Sequence, residues 1–440
     1  MPYIPHTEED IKQMLATIGV SSIDDLFVEI PENLKFKREL NVPEAKDEYT
    51  LARYMGELAS RNLNSSKLDW FLGAGLYDRY IPASVGAVIS RGEFLTAYTP
   101  YQPEMSQGYL QTIYEFQSMV AELYGMDLAN ASMYDGATAM AEAALMACNI
   151  TGRAKVIVSQ AVHPHYREVL STYCWASNIE VVMAPTEGGI TLWGETQGAA
   201  CIIVQYPNFF GIIEDLEVAR NAASEGTELV VVSDPFACAL LKPPGEFGAD
   251  IVVGEGQPLG IAMGFGGPMV GLFATKTEYV RRIPGRIVGK TQDSQGRPGF
   301  TMTLRTREQD IRREKATSNI CTNEALMALA ATVYTAAMGK NGMRSVAETS
   351  VRNTQYAIQK LTEAGTRQRF PGRVFGEFVL DVGKDATEVR DALIDKGIMA
   401  GLPLGSFYPE LRNCLLVAVT EVRNKAQIDH FANAFSSVLS

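Results

Sequence analysis

Hydrophobic and polar residues follow two different periods along this chain, and the changes of period mark its organisation. Ile11, Met14, Leu15 and Ile18 recur at three- and four-residue spacing, with Thr7 and Asp10 ahead of them and Gly19 behind. This predicts a capped amphipathic helix stopped by glycine. SSIDDLFVEIPENL ends in a proline turn, KRELNVPEAKDEYT is charged, and LARYMGELASRN returns to helical spacing, so residues 1–65 are expected to form a helical arm. Leu110, Ile113, Phe116, Val120 and Leu123 mark a further helix between Tyr109 and Tyr124. After it, DLANASMYDGATAMAEAALMACNITG gives a turn and a long Ala-rich helix.

Beyond residue 153 the pattern switches to short continuous apolar runs: AKVIVS (154–159), IEVVMA (179–184), ACIIVQYP (200–207), ELVVVSDP (228–235), ADIVVGEG (249–256) and, behind a glycine-rich loop, MVGLFATK (269–276). Strands buried on both faces require such runs. The intervening HYREVLSTYCWAS and LEVARNAASEG are helical, so an α/β fold with a mainly parallel sheet flanked by helices is expected. Two helical stretches, EALMALAATVYTAAMG and VAETSVRNTQYAIQKLTEAG, then lead into alternating short strands and helices. The expected division is a large α/β domain over 66–340 and a smaller α/β domain over 341–440.

Composition narrows the function. With 46% hydrophobic and 20% charged residues, the 440-residue chain can bury a large core. Its 51 acidic and 39 basic groups give a net charge of −12, which argues against a general nucleic-acid binder while allowing a local basic patch. No apolar run reaches the roughly 18 residues of a membrane span. The start, MPYIPHTEED, lacks the basic-then-apolar order of a signal peptide, so a cytoplasmic location is expected. The six cysteines lie far apart with no C-x-x-C pair, which fits free buried thiols better than a metal or redox site.

Among candidate motifs, PGRIVGKT (284–291) is one residue short of a phosphate-binding loop and follows no apolar strand, so it is rejected. His163 and His165 lack further ligands at suitable spacing, and no metal site is assigned. Tyr134-Asp135-Gly136-Ala137-Thr138 opens a helix, where free N–H groups suit a phosphate, although capping alone would account for Asp135 or Thr138. Asp234 stands at the carboxyl end of a buried run, where open α/β sheets place ligands; it could hold a pyridinium nitrogen or cap the turn before Pro235. A phosphate loop, a strand-end Asp and a further strand is the order of the large pyridoxal-phosphate (PLP) enzymes, in which a lysine comes next. Here the chain reads Gln257-Pro258-Leu259-Gly260, and an amide forms no Schiff base. Lys242 and Lys276, the nearest amines, read as exposed. Upstream, FLGAGLYDRYIP (71–82) and the stiff polar loop AYTPYQPEMSQG (97–108) read either as ordinary connections or, for Tyr98, Tyr101 and Glu104, as residues facing a site or partner.

YIPHTEEDIKQML, FLGAGLYD, AYTPYQPEMSQG, NASMYDGATAMAEA, the GFGGP loop and REKATSNICT (313–322), in this order, resemble the glycine cleavage system P-protein, in particular the α-type subunit of its two-chain form. The likeness covers nearly the whole chain; Arg79, where relatives often have His, and Asn323 depart from the pattern. It implies a PLP-dependent transferase-like fold (fold type I) and a complex with glycine dehydrogenase (aminomethyl-transferring, decarboxylating) activity. In that activity glycine is decarboxylated on PLP and its aminomethyl group passes to the lipoyl group of the H-protein. It further implies a partner β subunit of the same fold that carries the Schiff-base lysine, often in a heterotetramer of two α and two β chains. Laid over this sequence, that lysine falls on Gln257 and the preceding His on Gly256. The resemblance therefore implies no catalytic residue and no covalent cofactor in this chain, which alone would be inactive. Asp135, Gly136, Thr138, His163, Asp234 and Gln257 become degenerate cofactor-site positions, and Tyr98, Tyr101, Gln102 and Glu104 the expected contribution to a shared active site or interface. The alternative is a scaffolding subunit with no direct catalytic role.

Overall fold

A computed structural model describes residues 5–439. Tyr3 and Ile4, the first positions of the YIPHTEEDIKQML segment, lie outside them. Contacts divide the chain into two units, Met1–Asn62 and Leu63–Ser440. In the first, α1 (Glu8–Ile18) begins with the expected capping box: Asp10 N–H donates to the Thr7 hydroxyl at 3.2 Å, and Thr7 N–H to the Asp10 carboxylate at 2.7 Å. Gly19 ends the helix in the left-handed region, at φ 88°. Asp47 caps α2 (Glu48–Ser60) by accepting from Thr50 N–H. Neither helix contains a buried residue.

The second unit is built on a seven-stranded sheet of β1 (Leu128–Ala129), β2 (Lys155–Ser159), β3 (Glu180–Ala184), β4 (Cys201–Tyr206), β5 (Glu228–Ser233), β6 (Ile251–Glu255) and β7 (Gly271–Thr275), in the spatial order β1-β7-β6-β5-β4-β2-β3. Strands β2 to β6 run parallel, and β7 is antiparallel to both β6 and β1. Every expected apolar run forms one of these strands, and the reason is visible in β4 and β5. Ile202, Val204, Leu229 and Val231 enter the core on one face, while Cys201, Ile203, Val230 and Val232 enter the core on the other. With both faces covered, neither can be polar.

Helices α3 (Gln107–Tyr124), α4 (Gly136–Thr151), α5 (Pro164–Ala176) and α6 (Leu216–Ala222) come from the connections. The rejected phosphate-loop sequence supplies β8 (Ile287–Gln292), which pairs with β9 (Pro298–Thr303) in an antiparallel hairpin. The two helical stretches after Thr322 are one long element, α7 (Ala325–Glu363), interrupted at Gly339, whose φ of 58° and ψ of −179° are not helical. A four-stranded sheet follows, ordered β10 (Arg367–Gln368), β11 (Glu377–Asp381), β13 (Cys414–Ala418), β12 (Leu402–Pro403), together with helices α8 (Ala386–Ile394) and α9 (Lys425–Leu439). Among the described residues no helix is long and apolar enough to cross a membrane. All six cysteines are free; Cys174, Cys201 and Cys414 are buried, and Cys321 is exposed.

Candidate functional site

In the sheet, β2 lies between β3 and β4, so the order of connections reverses there and a crevice opens at the carboxyl ends of the strands. His163 follows β2, Gln205 belongs to the end of β4, Asp234 follows β5, and Glu255 and Gln257 close β6. Asp135, Gly136 and Thr138 form the start of α4 beside them. The sequence-expected inner positions therefore converge, and the question is what they hold.

They hold one another. Gln257 is 2% exposed, and its amide is fully used: the side-chain oxygen accepts from Tyr77 N–H at 2.9 Å, and the side-chain nitrogen donates to the carbonyls of Ile261 at 2.7 Å and Tyr77 at 3.2 Å. The Tyr77 hydroxyl donates to Glu377 at 2.8 Å, and the other oxygen of Glu377 accepts from Ala74 N–H at 2.7 Å. Burial pushes the Glu377 carboxyl up to about 7. His163 N–H donates to Gln205. On its ring, Nδ1 faces His165 N–H and must accept, so Nε2 carries the proton and donates to the Ala74 carbonyl at 2.9 Å. Burial pulls this imidazole down to about 4, keeping it neutral.

The glycines of FLGAGLYD are explained by this packing. A Cβ on Gly73 would lie 2.5 Å from Glu377 Oε1 and Ala418 Cβ; at Gly75, φ is 100° and a Cβ would come within 3.3 Å of the His163 ring. The segment is thus pressed into the crevice over the imidazole.

Asp135 and Thr138 form the capping box, with Thr138 N–H to Asp135 at 2.8 Å and Asp135 N–H to Thr138 Oγ1 at 3.2 Å. Gly136 N–H is taken by Glu255 at 2.9 Å. Asp234 accepts from Phe236 N–H at 2.7 Å and Ala237 N–H at 2.9 Å, capping the following turn. Between His163, Tyr166, Asp234 and Glu255 a cavity of ≈ 40 Å³ remains. That is space for about three or four waters at about 10–15 Å³ each, against roughly 300 Å³ or more for a cofactor-sized pocket. The residues present do not fit a pyridine ring and phosphate.

Neither alternative amine reaches the crevice. Lys276 pairs with Asp250 at the amino end of β6, the end opposite Gln257 of a strand about 16 Å long. Lys242 lies over the Phe247 ring.

Tyr98, Tyr101, Gln102 and Glu104 do not join the inner cluster. Tyr98 is 80% exposed, and Gln102 and Glu104 are exposed on the same loop. Tyr101 is fixed: its hydroxyl accepts from Arg286 at 3.1 Å, and the guanidinium groups of Arg286 and Arg305 lie 5.5 and 4.8 Å from its ring centre. Arg79 is buried in an ion pair with Glu421 at 2.7 Å and stacks 4.2 Å from the Phe236 ring centre. Sequence reasoning passed over Tyr77, Tyr166, Glu255 and Glu377. Of these only Glu255 left a signal, a carboxylate ending an otherwise apolar run.

The crevice and sheet order define the class. The chain shares its fold with alanine–glyoxylate aminotransferase from Nostoc sp. (TM-score 0.59, 17% identity, covering 86% of this chain and 97% of that one), and is an α/β protein of fold type I, the fold of PLP-dependent enzymes. The family model for the glycine cleavage system P-protein matches residues 1–435, and the chain belongs to that family. A crystal structure of glycine decarboxylase (P-protein) of the glycine cleavage system, in inhibitor-bound form, matches with TM-score 0.91 and 45% identity over 100% of both chains. The probable glycine dehydrogenase (decarboxylating) subunit 1 of Geobacillus sp. (strain WCH70) is 52% identical over 435 residues, 98% of this chain and 97% of that protein. The likeness is thus to one subunit of a two-subunit enzyme, along its whole length.

Proposed function

We propose that this chain is the cofactor-free subunit of a two-chain glycine decarboxylase. PLP is carried by the partner β subunit, which supplies the electron sink for decarboxylation of glycine, and the aminomethyl group passes to the lipoylated H-protein. The observation that carries this reading is the Gln257 amide, hydrogen-bonded on every side where the fold would otherwise place an amine. Exposed apolar residues support a partner chain: Phe27, Val28, Phe36 and Tyr49 on the arm, and Tyr98 and Met105 on the 97–108 loop. The clamp of Arg286 and Arg305 on Tyr101 holds that loop in one shape. Its Tyr98, Gln102 and Glu104 are then presented to the partner's site, where they exclude water and orient substrate.

The test is to assay glycine-dependent CO₂ release with this chain, the partner and their mixture, supplying H-protein and PLP. Activity is expected in the mixture and absent from this chain alone; decarboxylation by this chain alone would overturn the proposal. Tyr98→Ala and Glu104→Ala should lower turnover of the mixture with assembly intact. Unchanged turnover in both would leave the loop a scaffold only.

A further inference from the structure

A helix start at the carboxyl end of a sheet concentrates unpaired N–H groups and the positive end of the helix dipole, and in a nucleotide- or phosphate-binding fold it draws an anion. At α4 the anion comes from the chain itself. Glu255, 119 residues away in sequence, places Oε2 at 2.9 Å from Gly136 N–H, while Oε1 accepts from Gln257 N–H at 2.9 Å and Val270 N–H at 3.3 Å. Glu255 is 8% exposed. It accepts from three backbone donors and, among the described residues, pairs with no cation, the donor set of a bound oxyanion rather than of an ion pair. Tyr166 closes the space: its hydroxyl lies 2.4 Å from where a Gly136 Cβ would be, so a side chain at 136 would have to displace it. A phosphate entering here would find these backbone donors already taken by the Glu255 side chain.

We infer that Glu255 is a built-in substitute for the cofactor phosphate: its carboxylate takes the first N–H of α4, beside the Asp135 cap, and fills the crevice from within, so that this chain folds without a phosphorylated ligand. The inference rests on the reading that this chain carries no cofactor, and deepens it by naming the group that took the phosphate's place.

The test is thermal melting of the full chain with inorganic phosphate against chloride at matched ionic strength. Wild type should show no phosphate-specific shift. Glu255→Ala should melt lower, by on the order of 5 °C, and phosphate should restore much of the loss by entering the vacated space. Glu255→Gln keeps the volume but turns an amide N–H₂ toward backbone donors; it should melt lower and gain nothing from phosphate. A phosphate-induced rise in wild type, a wild-type melting point in either variant, or a destabilised Glu255→Ala that phosphate leaves unchanged would each overturn the substitution. Covalent PLP on the wild-type chain would instead sink the cofactor-free reading on which it rests.

Discussion

Replacing Gln257 by Leu keeps most of the volume and removes the amide. The structure shows three side-chain hydrogen bonds at 2.7, 2.9 and 3.2 Å from a residue that is 2% exposed. At about 1 kcal/mol per lost bond, with about 1–3 kcal/mol more for the stranded Tyr77 N–H, the gross cost is roughly 4–6 kcal/mol. Added apolar burial returns about 1–2 kcal/mol, leaving a net loss of roughly 2–5 kcal/mol. Denaturant unfolding of the full chain reads the total as a fall in midpoint, and hydrogen exchange reads its location. The Tyr77 amide should lose protection first, followed by Ala74, since only Glu377 and the His163 ring then hold the segment. An unchanged midpoint with Tyr77 still protected would refute the argument that the amide at position 257 was retained as a structural pin.

Other changes test neighbouring parts of the account. Arg79→Ala strands Glu421 in a buried site and should cost about 3–5 kcal/mol in denaturant unfolding; a loss below 1 kcal/mol would mean that solvent reaches the pair. Glu377 and Glu142 are both pushed up by burial to about 7 from an ordinary 4.5. Such carboxyls bind protons more tightly when folded, so the stability they contribute is present below pH 4.5 and lost as pH rises through about 7. The melting temperature should fall across that window, with a shallower slope in Glu377→Gln; equal slopes would place its titration elsewhere. Gln257→Lys should yield no borohydride-reducible adduct with PLP, because Glu255, Tyr166 and the 73–77 segment still fill the crevice. A stoichiometric adduct would show that the amine was the only missing part.

The architecture was legible wherever one local signal decided it. The apolar runs became strands because both sheet faces are covered, and the Thr7–Asp10 box and Gly19 delimit α1 as their chemistry requires. Asp135 and Thr138 were ambiguous between a cap and a phosphate cradle, and the structure shows the cap. Asp234 was likewise open, and its turn-capping bonds are present. The β8–β9 hairpin gave little pattern because only Ile287 and Val288 of its first strand are buried. The interior of the crevice was illegible for a different reason. Tyr77 meets Glu377 across 300 residues, and Gly136 meets Glu255 across 119, so no window of sequence contains both partners. Gln257 in place of a lysine could be read; the distant partners that enclose it could not.

The most direct measurement is borohydride reduction of the assembled two-subunit complex in the presence of PLP, followed by peptide mass spectrometry of both chains. The account expects the reduced pyridoxyl group on a lysine of the partner and on no lysine of this chain. A pyridoxyl-lysine at stoichiometric yield in any peptide of this chain would contradict it.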